Sequence, residues 1–248
     1  MDVVDCCLRL SVVIPAYNEA KLIAGTIAGV VDSLLGAGLG RDEFEIIVCD
    51  NASSDATAAL AAQAGAEVVH EPERQIARAR NTGASRARAP VLLFLDADSW
   101  PDAALMGDLL AALDDERVVA GGCTMRMQGV PASIAVGLRL WNLTSRLCGW
   151  ASGAFIFCRS DGFRAIGGFG LDFYVAEEID FSRRIKRWGG LRGLRLSILH
   201  RHRLLTSGRK GALYSQREIG ALMLSMLCHP RRFFRDRALL HLWYDGRR

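Results

Sequence analysis

Short apolar runs rich in β-branched residues alternate with alanine-rich or helix-periodic stretches through the first half of this chain. The alternation constrains the fold, because strands separated by helices pair in parallel and need helices on both faces of their sheet. The sequence therefore predicts an α/β fold with a mostly parallel sheet. Asn18, Ser54 and Asp102 stand where helix caps are expected. The predicted strands cover residues 10–14, 44–49, 67–69 and 91–95, and the predicted helices cover 19–35, 55–64, 75–87 and 102–113.

The second half of the chain is less regular. Strands are predicted over residues 118–121, 154–158 and 194–199, and helices over 134–148 and 177–188. No internal repeat, low-complexity tract or Ser/Pro-rich linker marks a domain boundary. We therefore predict a single domain with three parts: a regular half over about 9–115, an irregular half over about 116–210, and a basic helical segment over 211–248.

Composition indicates a globular protein with a sizeable core, since half of the 248 residues are hydrophobic and 8% are aromatic. No apolar stretch approaches the roughly 20 residues of a membrane-spanning helix. Residues 1–5 lack the basic start of a secretory signal, so the predicted location is cytoplasmic. The seven cysteines are odd in number and show no CxxC spacing, which predicts reduced thiols and no structural zinc.

Charge is distributed unevenly along the chain. Residues 1–182 carry 14 basic and 24 acidic side chains, whereas 183–248 carry 17 and 3. An apolar helical face over 213–227 precedes basic and aromatic residues at 230–235, a combination that suits peripheral contact with an anionic membrane. The alternative is a helix packed on the core with a solvated basic rim. Nucleic-acid binding has no supporting motif beyond charge.

Two carboxylates, Asp96 and Asp98, follow the apolar run 91–95, where a buried strand should reach the edge of the sheet. Open α/β sheets bind ligands at that edge. In an extended segment the two side chains would point the same way, and paired carboxylates suit Mg²⁺ or Mn²⁺ with substrate phosphate as a further ligand. The pair indicates a metal–diphosphate site; the alternative is an aspartate-rich turn.

Four segments lie in order along the predicted sheet: SVVIPAYNE (11–19), VCDNASSD (48–55), ARNTG (79–83) and LFLDAD (93–98). Together they resemble the family 2 glycosyltransferases, which have a Rossmann-like GT-A fold. GGFG (167–170) and AEEIDFSRR (176–184) extend the resemblance over roughly residues 9–210. It implies that the first half binds a nucleoside-diphosphate sugar and that the second half holds the acceptor and the catalytic base.

The resemblance also implies roles for individual residues. The loop after the first strand would hold the base and ribose, with Tyr17 either stacking on the base or serving as an ordinary capping aromatic. Asp50 would contact the nucleoside, Arg80 and Asn81 would lie near the diphosphate and base, and Gly153 would form the floor near the donor sugar. The implied donor-binding residues are Pro15, Ala16, Tyr17, Glu19, Asp50, Arg80, Asn81, Asp96, Ala97, Asp98, Gly153 and Glu177.

Inverting sugar transfer needs a carboxylate that takes the proton of the acceptor hydroxyl. The family usually has Glu-Asp where this chain has Glu177 and Glu178, so Glu178 inherits the role of base with a side chain one methylene longer. On a helix Glu177 and Asp180 would share a face while Glu178 points about 100° away, so the three are not expected to line one cleft. The alternative is an acidic first turn favoured by the helix dipole.

A late histidine completes the metal site in many GT-A enzymes, and His202 is the candidate here, with His200 expected to point the same way on the strand. The alternative is that neither binds metal. The basic loop 206–210 could close over the diphosphate. The chain is thus predicted to be a metal-dependent, inverting glycosyltransferase that uses Mn²⁺ or Mg²⁺, with donor base, sugar and hydroxyl acceptor left open.

Other functions fit the sequence less well. A nucleotidyltransferase would need a Gly-rich, Lys- or Arg-bearing loop after the first strand, and residues 15–19 do not form one. A nicotinamide-dependent oxidoreductase would need a GxGxxG motif there. A nucleotide-sugar-binding protein without catalysis stays open as an alternative, although Asp96, Asp98 and Glu178 together argue against it.

Overall fold

We describe residues 8–208 of the protein from a computed structural model. The strands are β1 (Leu10–Ala16), β2 (Phe44–Asp50), β3 (Glu67–His70), β4 (Val91–Leu95), β5 (Ser99–Trp100), β6 (Val118–Gln128), β7 (Phe155–Arg159) and β8 (Arg195–Ser207). The helices are α1 (Ile23–Gly36), α2 (Thr57–Gln63), α3 (Ile76–Arg86), α4 (Ala103–Leu113), α5 (Ala132–Cys148), α6 (Ser160–Ala165) and α7 (Glu177–Gly190).

The eight strands form one sheet in the order β3-β2-β1-β4-β7-β6-β8-β5. The first four strands are mutually parallel and β8 is parallel to β6, which confirms the predicted α/β fold with a mostly parallel sheet. β7 runs antiparallel to both β4 and β6, and so joins the regular half to the irregular half. Ala16 pairs with Asp50, so β1 and β2 end at the same edge.

The core lies on both faces of the central strands, whose residues are almost all buried, as expected for parallel strands covered by helices. One face packs against α1 and α4. The other packs against α3, α6 and α7. On this face β4, α6 and α7 meet in a cluster of phenylalanines with ring centroids 4.5–6.0 Å apart, which are Phe94, Phe163, Phe169 and Phe181. Gly83 lets α3 approach the sheet closely, because a Cβ there would lie 2.5 Å from Cγ1 of Val13.

The helix caps were predicted correctly in one case of three. Asp102 accepts a hydrogen bond from the backbone N–H of Leu105 at 2.8 Å and caps α4. Asn18 and Ser54 are not caps: α1 begins only at Ile23, and Oδ1 of Asn18 accepts a hydrogen bond from the Ser54 N–H at 2.8 Å. The Asn18 side chain instead ties the loop after β1 to the loop after β2, through the backbone N–H and the hydroxyl of Ser54.

No helix within residues 8–208 is long and apolar enough to cross a membrane. Cys49, Cys123, Cys148 and Cys158 are free thiols, as predicted. Thr206 and Ser207, predicted to begin the basic loop 206–210, are instead the last residues of β8. The predictions for Cys6, Cys7, Cys228, the loop residues Arg209 and Lys210, and the segments 213–227 and 230–235 concern positions outside the described residues.

Candidate active site

A cavity of about 230 Å³ opens at the carboxyl edge of the sheet, between the loop after β1, the start of α3, the turn after β4 and the start of α7. It lies where ligands bind to open α/β sheets. The structure brings these sequence-predicted site residues together as its lining: Pro15, Ala16, Tyr17, Glu19, Arg80, Asp96, Ala97, Asp98, Gly153, Glu177 and Glu178.

Asp96 and Asp98 face the cavity from a turn and not from an extended segment. The backbone N–H of Ser99 donates to the carbonyl oxygen of Asp96 at 3.1 Å, which closes the turn and corrects the predicted backbone geometry. The N–H of Ser207 donates to the carbonyl oxygen of Asp98 at 3.0 Å, so β8 fixes the far end of the turn. The two carboxylates are held on one side by these contacts and not by strand alternation.

Arg80 is the buried centre of the site, with its side chain 1% exposed. Its Nη1 donates to Oε1 of Glu177 at 2.5 Å, and its Nη2 donates to Oδ1 of Asp96 at 3.3 Å and to the carbonyl oxygen of Gly153 at 2.9 Å. Burial disfavours the charged guanidinium, but Glu177, Asp96 and Glu178 outweigh that effect and raise the pKa of Arg80. A buried arginine with partners on three segments fixes those segments relative to one another.

The first turn of α7 supplies two carboxylates to the cavity. Ala176 precedes the helix in the left-handed region, with a φ of 65°, so the helix starts abruptly at Glu177. Burial and the neighbouring Glu177 carboxylate raise the pKa of Glu178 to about 8, against the opposing effect of Arg80. A carboxyl with such a pKa binds a proton far more readily than an ordinary glutamate.

Asp180 does not line the cavity, because its Oδ2 accepts a hydrogen bond from Nε of Arg184 at 2.7 Å, one turn along the helix. As expected, the three acidic residues do not share one cleft. Glu177 and Glu178 both line the cavity, whereas Glu177 and Asp180, which have the i, i+3 spacing, do not line it together. The end of the helix, and not its side, faces the cavity.

The opposite end of the cavity carries an aromatic and a cation. The guanidinium carbon of Arg74 lies 3.8 Å from the ring centroid of Tyr17. Glu19 is buried, and its backbone N–H donates to Oγ1 of Thr57 at 2.8 Å, which anchors the loop after β1 to α2. A flat aromatic stacked with a guanidinium forms a wall suited to a planar ring.

The family model for glycosyl transferase family 2 matches residues 11–179. The chain belongs to this family. An uncharacterized glycosyltransferase of Mycobacterium tuberculosis is 30% identical over 141 residues, which are 55% of this chain and 60% of the relative. The pre-mycofactocin glycosyltransferase of the same species is 28% identical over 192 residues, which are 71% of this chain and 38% of the relative. The chain thus spans 60% or less of the length of these two relatives.

Solved structures of other proteins share the fold. The mannosyltransferase PcManGT of Pyrobaculum calidifontis, crystallised with GDP-Man and Mn²⁺, has a TM-score of 0.65 at 22% identity, over 87% of this chain and 61% of that protein. Residues 1–349 of S. aureus TarS with UDP-GlcNAc have a TM-score of 0.62 at 20% identity, over 95% and 69%. Likeness at these identities shows the GT-A fold alone.

Three residues implied by the family resemblance do not line the cavity. Asp50 is buried, and its Oδ1 accepts one hydrogen bond from the Ser53 N–H at 3.3 Å while its Oδ2 lies 3.2 Å from Nδ1 of His70. Asn81 clamps the backbone of Phe169 with two hydrogen bonds of 2.9 Å, so it holds the loop before α7.

His202 is the third of these residues. Its Nδ1 lies 3.0 Å from Oδ2 of Asp108, a residue of α4 outside the cavity lining, and its side chain is 44% exposed. The pairing of β8 with β6 is irregular here, since Leu199 pairs with Cys123 but Leu204 already pairs with Met125. The four residues between them are all exposed, so this stretch of β8 does not alternate between a buried and an exposed face.

The cavity suits a hard divalent cation that takes few ligands from the protein. Within residues 8–208 no cluster of three or more His, Cys, Asp or Glu side chains could hold a metal ion. Two carboxylates with water and diphosphate oxygens are nonetheless a normal ligand set for Mg²⁺, which keeps several waters and binds substrate phosphates. Asp96 and Asp98 supply that donor set at the cavity wall.

Sequence reasoning missed several residues of the wall. Tyr174 and Val175 line the cavity because Nε2 of Gln75 donates to the carbonyl oxygens of Leu171 and Phe173, at 2.7 and 3.0 Å. This contact joins segments 96 residues apart in sequence, and no local pattern signals it. Asn51, next to the predicted Asp50, also lines the cavity and could have been found from its position after β2.

Proposed function

We propose that the protein is a metal-dependent glycosyltransferase that transfers a sugar, with inversion, from a nucleoside-diphosphate sugar to an acceptor hydroxyl. The observation that carries the proposal is the presence of Asp96, Asp98 and Glu178 on the wall of one cavity, with Arg80 between them. In this proposal residues of about 9–115 hold the donor and residues of about 116–210 hold the acceptor. The predicted cytoplasmic location stays a prediction.

The donor would lie along the cavity with its base near Tyr17 and Arg74 and its diphosphate near Asp96 and Asp98. Those two carboxylates would hold Mn²⁺ or Mg²⁺, which supplies charge neutralisation to a departing diphosphate. A solved structure supports the combination of a metal and a nucleoside diphosphate. The glucosyl-3-phosphoglycerate synthase of Mycobacterium tuberculosis, with a TM-score of 0.59 and 19% identity, was crystallised with Mn²⁺ and UDP. The base and sugar of this chain's donor stay open.

Glu178 would take the proton of the acceptor hydroxyl as its oxygen attacks the anomeric carbon. Glu177 is bound to Arg80 and Asp180 to Arg184, so both are engaged in holding the structure. Glu178 faces the cavity with a raised pKa, which makes its carboxylate a stronger base once it is deprotonated. Gly153 lies beside Glu178 in the cavity wall, since a Cβ at position 153 would be in ordinary van der Waals contact with Cδ of Glu178, at 3.8 Å.

Thermal unfolding with a panel of nucleoside diphosphates and Mn²⁺ tests the donor site. A ligand at 100 times its Kd stabilises the folded state by about 2.7 kcal/mol, which raises the Tm of a chain of this size by roughly 5–10 °C. We expect one nucleotide to give such a shift and Asp98→Asn to remove its metal-dependent part.

Asp108→Asn is the matched control, since Asp108 pairs with His202 away from the cavity, and it should leave the shift intact. An undiminished metal-dependent shift in Asp98→Asn would show that the diphosphate and metal bind elsewhere.

A further inference from the structure

Helix α5 exposes a row of large aliphatic side chains. Val136, Leu140, Leu143 and Leu147 are 61%, 65%, 52% and 76% exposed, and they account for four of the seven exposed large hydrophobic residues in the described range 8–208. Their spacing of four, three and four residues places them on one face of the helix. We call this row the α5 stripe. Scattered exposed leucines are ordinary, but a contiguous apolar row indicates a contact surface.

The α5 stripe points away from the core. The other side of the helix is held to β6 by Asn142, whose Oδ1 accepts a hydrogen bond from the N–H of Met125 at 3.0 Å and whose Nδ2 donates to its carbonyl oxygen at 2.9 Å. Leu138 and Trp141 pack against the core on that side. Packing on the sheet therefore does not explain why the outer face of α5 is apolar.

Cations border the α5 stripe. Arg139 and Arg146 are exposed on one flank of it, and the chain has no acidic residue between Glu116 and Asp161. At the end of α5, helix α7 contributes Lys186, whose Nζ donates to the carbonyl oxygen of Cys148 at 3.1 Å, and Arg183, which lies over the ring of Trp150. The surface is thus an apolar row with a cationic rim.

We propose that the α5 stripe and its basic rim dock the protein on an anionic lipid membrane. Aliphatic side chains enter the interface between head groups and acyl chains, while arginine and lysine bind anionic head groups. Charge complementarity selects this partner. A two-fold contact with a second copy would bring two cationic rims together. The chain segment 209–248, with nine basic and three acidic residues, is also predominantly cationic.

The position of α5 connects such docking to the cavity. From the end of α5 the chain runs through Trp150 and Ala151 to Gly153 in the cavity wall, and Oγ of Ser182 on α7 accepts a hydrogen bond from the Ala151 N–H at 3.0 Å. Docking through α5 therefore brings the segment that leads into the cavity wall close to the lipid surface.

Vesicle co-sedimentation of the full chain, without donor, tests the proposal. We expect binding to vesicles of phosphatidylcholine with phosphatidylglycerol, weak binding to phosphatidylcholine alone, and weaker binding at high salt. Leu140→Gln with Leu143→Gln should lower the partition coefficient by more than about tenfold. Arg139→Gln with Arg146→Gln should lower it about 30-fold on anionic vesicles only, at about 1 kcal/mol for each arginine.

Leu191→Gln is the matched control, because Leu191 is 81% exposed but lies at the end of α7, and it should bind as the wild type does. Circular dichroism and thermal unfolding should show that all variants are folded. Because no donor is present, the result does not depend on whether the protein transfers sugar.

Three outcomes would overturn the proposal. The first is a wild-type chain that does not bind anionic vesicles. The second is a Leu140→Gln, Leu143→Gln variant that binds them as tightly as the wild type, which would assign binding to another surface such as residues 209–248. The third is a wild-type dimer in sedimentation velocity that the same two substitutions dissociate, which would assign the α5 stripe to a second copy.

Discussion

At the scale of single residues, the site depends on a guanidinium that is almost fully buried. Arg80 is compatible with the interior only because Glu177, Asp96 and the Gly153 carbonyl surround it. The same contacts set the position of Glu178, since Glu177 precedes it in the helix. One arginine thus determines how the carboxylates of the turn after β4 stand relative to those of α7.

Replacing Arg80 with methionine should destabilise the protein by about 3–5 kcal/mol, because Glu177 would be left buried and unpaired. Urea unfolding measures this change. Arg78→Met is the control, since Arg78 pairs with the exposed Glu73 and should cost less than about 1 kcal/mol. The double variant Arg80→Met, Glu177→Gln should recover part of the loss. A free energy of unfolding for Arg80→Met equal to that of Arg78→Met would contradict the role given to this network.

The raised pKa of Glu178 predicts a pH dependence with a definite sign. Below a pKa of about 8 the carboxyl is protonated and cannot accept the proton of the acceptor, so kcat/KM should rise with pH through an acidic limb near 8. Release of nucleoside diphosphate measures the rate. Residual activity of Glu178→Gln should lack this limb. A profile that is flat from pH 6 upward would show that the catalytic base has an ordinary glutamate pKa. It would contradict the claim that burial raises the pKa of Glu178.

At the scale of elements, local patterns predicted β1 to β4 and α1 to α4, because apolar runs and helical periodicity reflect each segment's own burial, but they missed the two-residue strand β5. Local patterns could not predict that β7 lies antiparallel between β4 and β6, because strand pairing is set by contacts between residues distant in sequence. The wrong caps at Asn18 and Ser54 have a related cause: two loops from neighbouring strands bind each other and not their own helices.

The segment between α5 and β7 contributes Gly153 to the cavity wall, and its close packing there can be tested. An alanine Cβ at position 153 would lie 3.2 Å from Nη2 of Arg80, so the guanidinium or the wall would have to shift. Gly153→Ala should therefore lower nucleotide release at least about tenfold, as small misplacements in active sites do. In α4, Gly107 has no atom within 4 Å of an added Cβ, so Gly107→Ala should keep full activity and gain roughly 0.5–1 kcal/mol in stability. Equal activity of the two variants would argue against close packing at Gly153.

At the scale of the whole molecule, the fold gathers residues from most of its length at one sheet edge. The sequence predicted this for Asp96, Asp98 and the loop after β1, because strand ends in a parallel sheet share an edge. It did not predict that Asn81 faces a loop or that His202 faces α4, because those orientations depend on a tertiary contact and on an irregular strand pair. Motifs for diphosphate and ribose also do not distinguish donors, so family membership leaves the sugar open.

The central claim is that this cavity binds a nucleotide sugar and that Glu178 then enables its transfer. The most direct test compares wild type and Glu178→Gln in two assays on the same protein: donor binding with Mn²⁺ by calorimetry, and release of nucleoside diphosphate. We predict an unchanged Kd and a rate lowered by about 10²–10⁴-fold, the usual effect of removing a general base. Near-normal release by Glu178→Gln with unchanged donor binding would contradict the account.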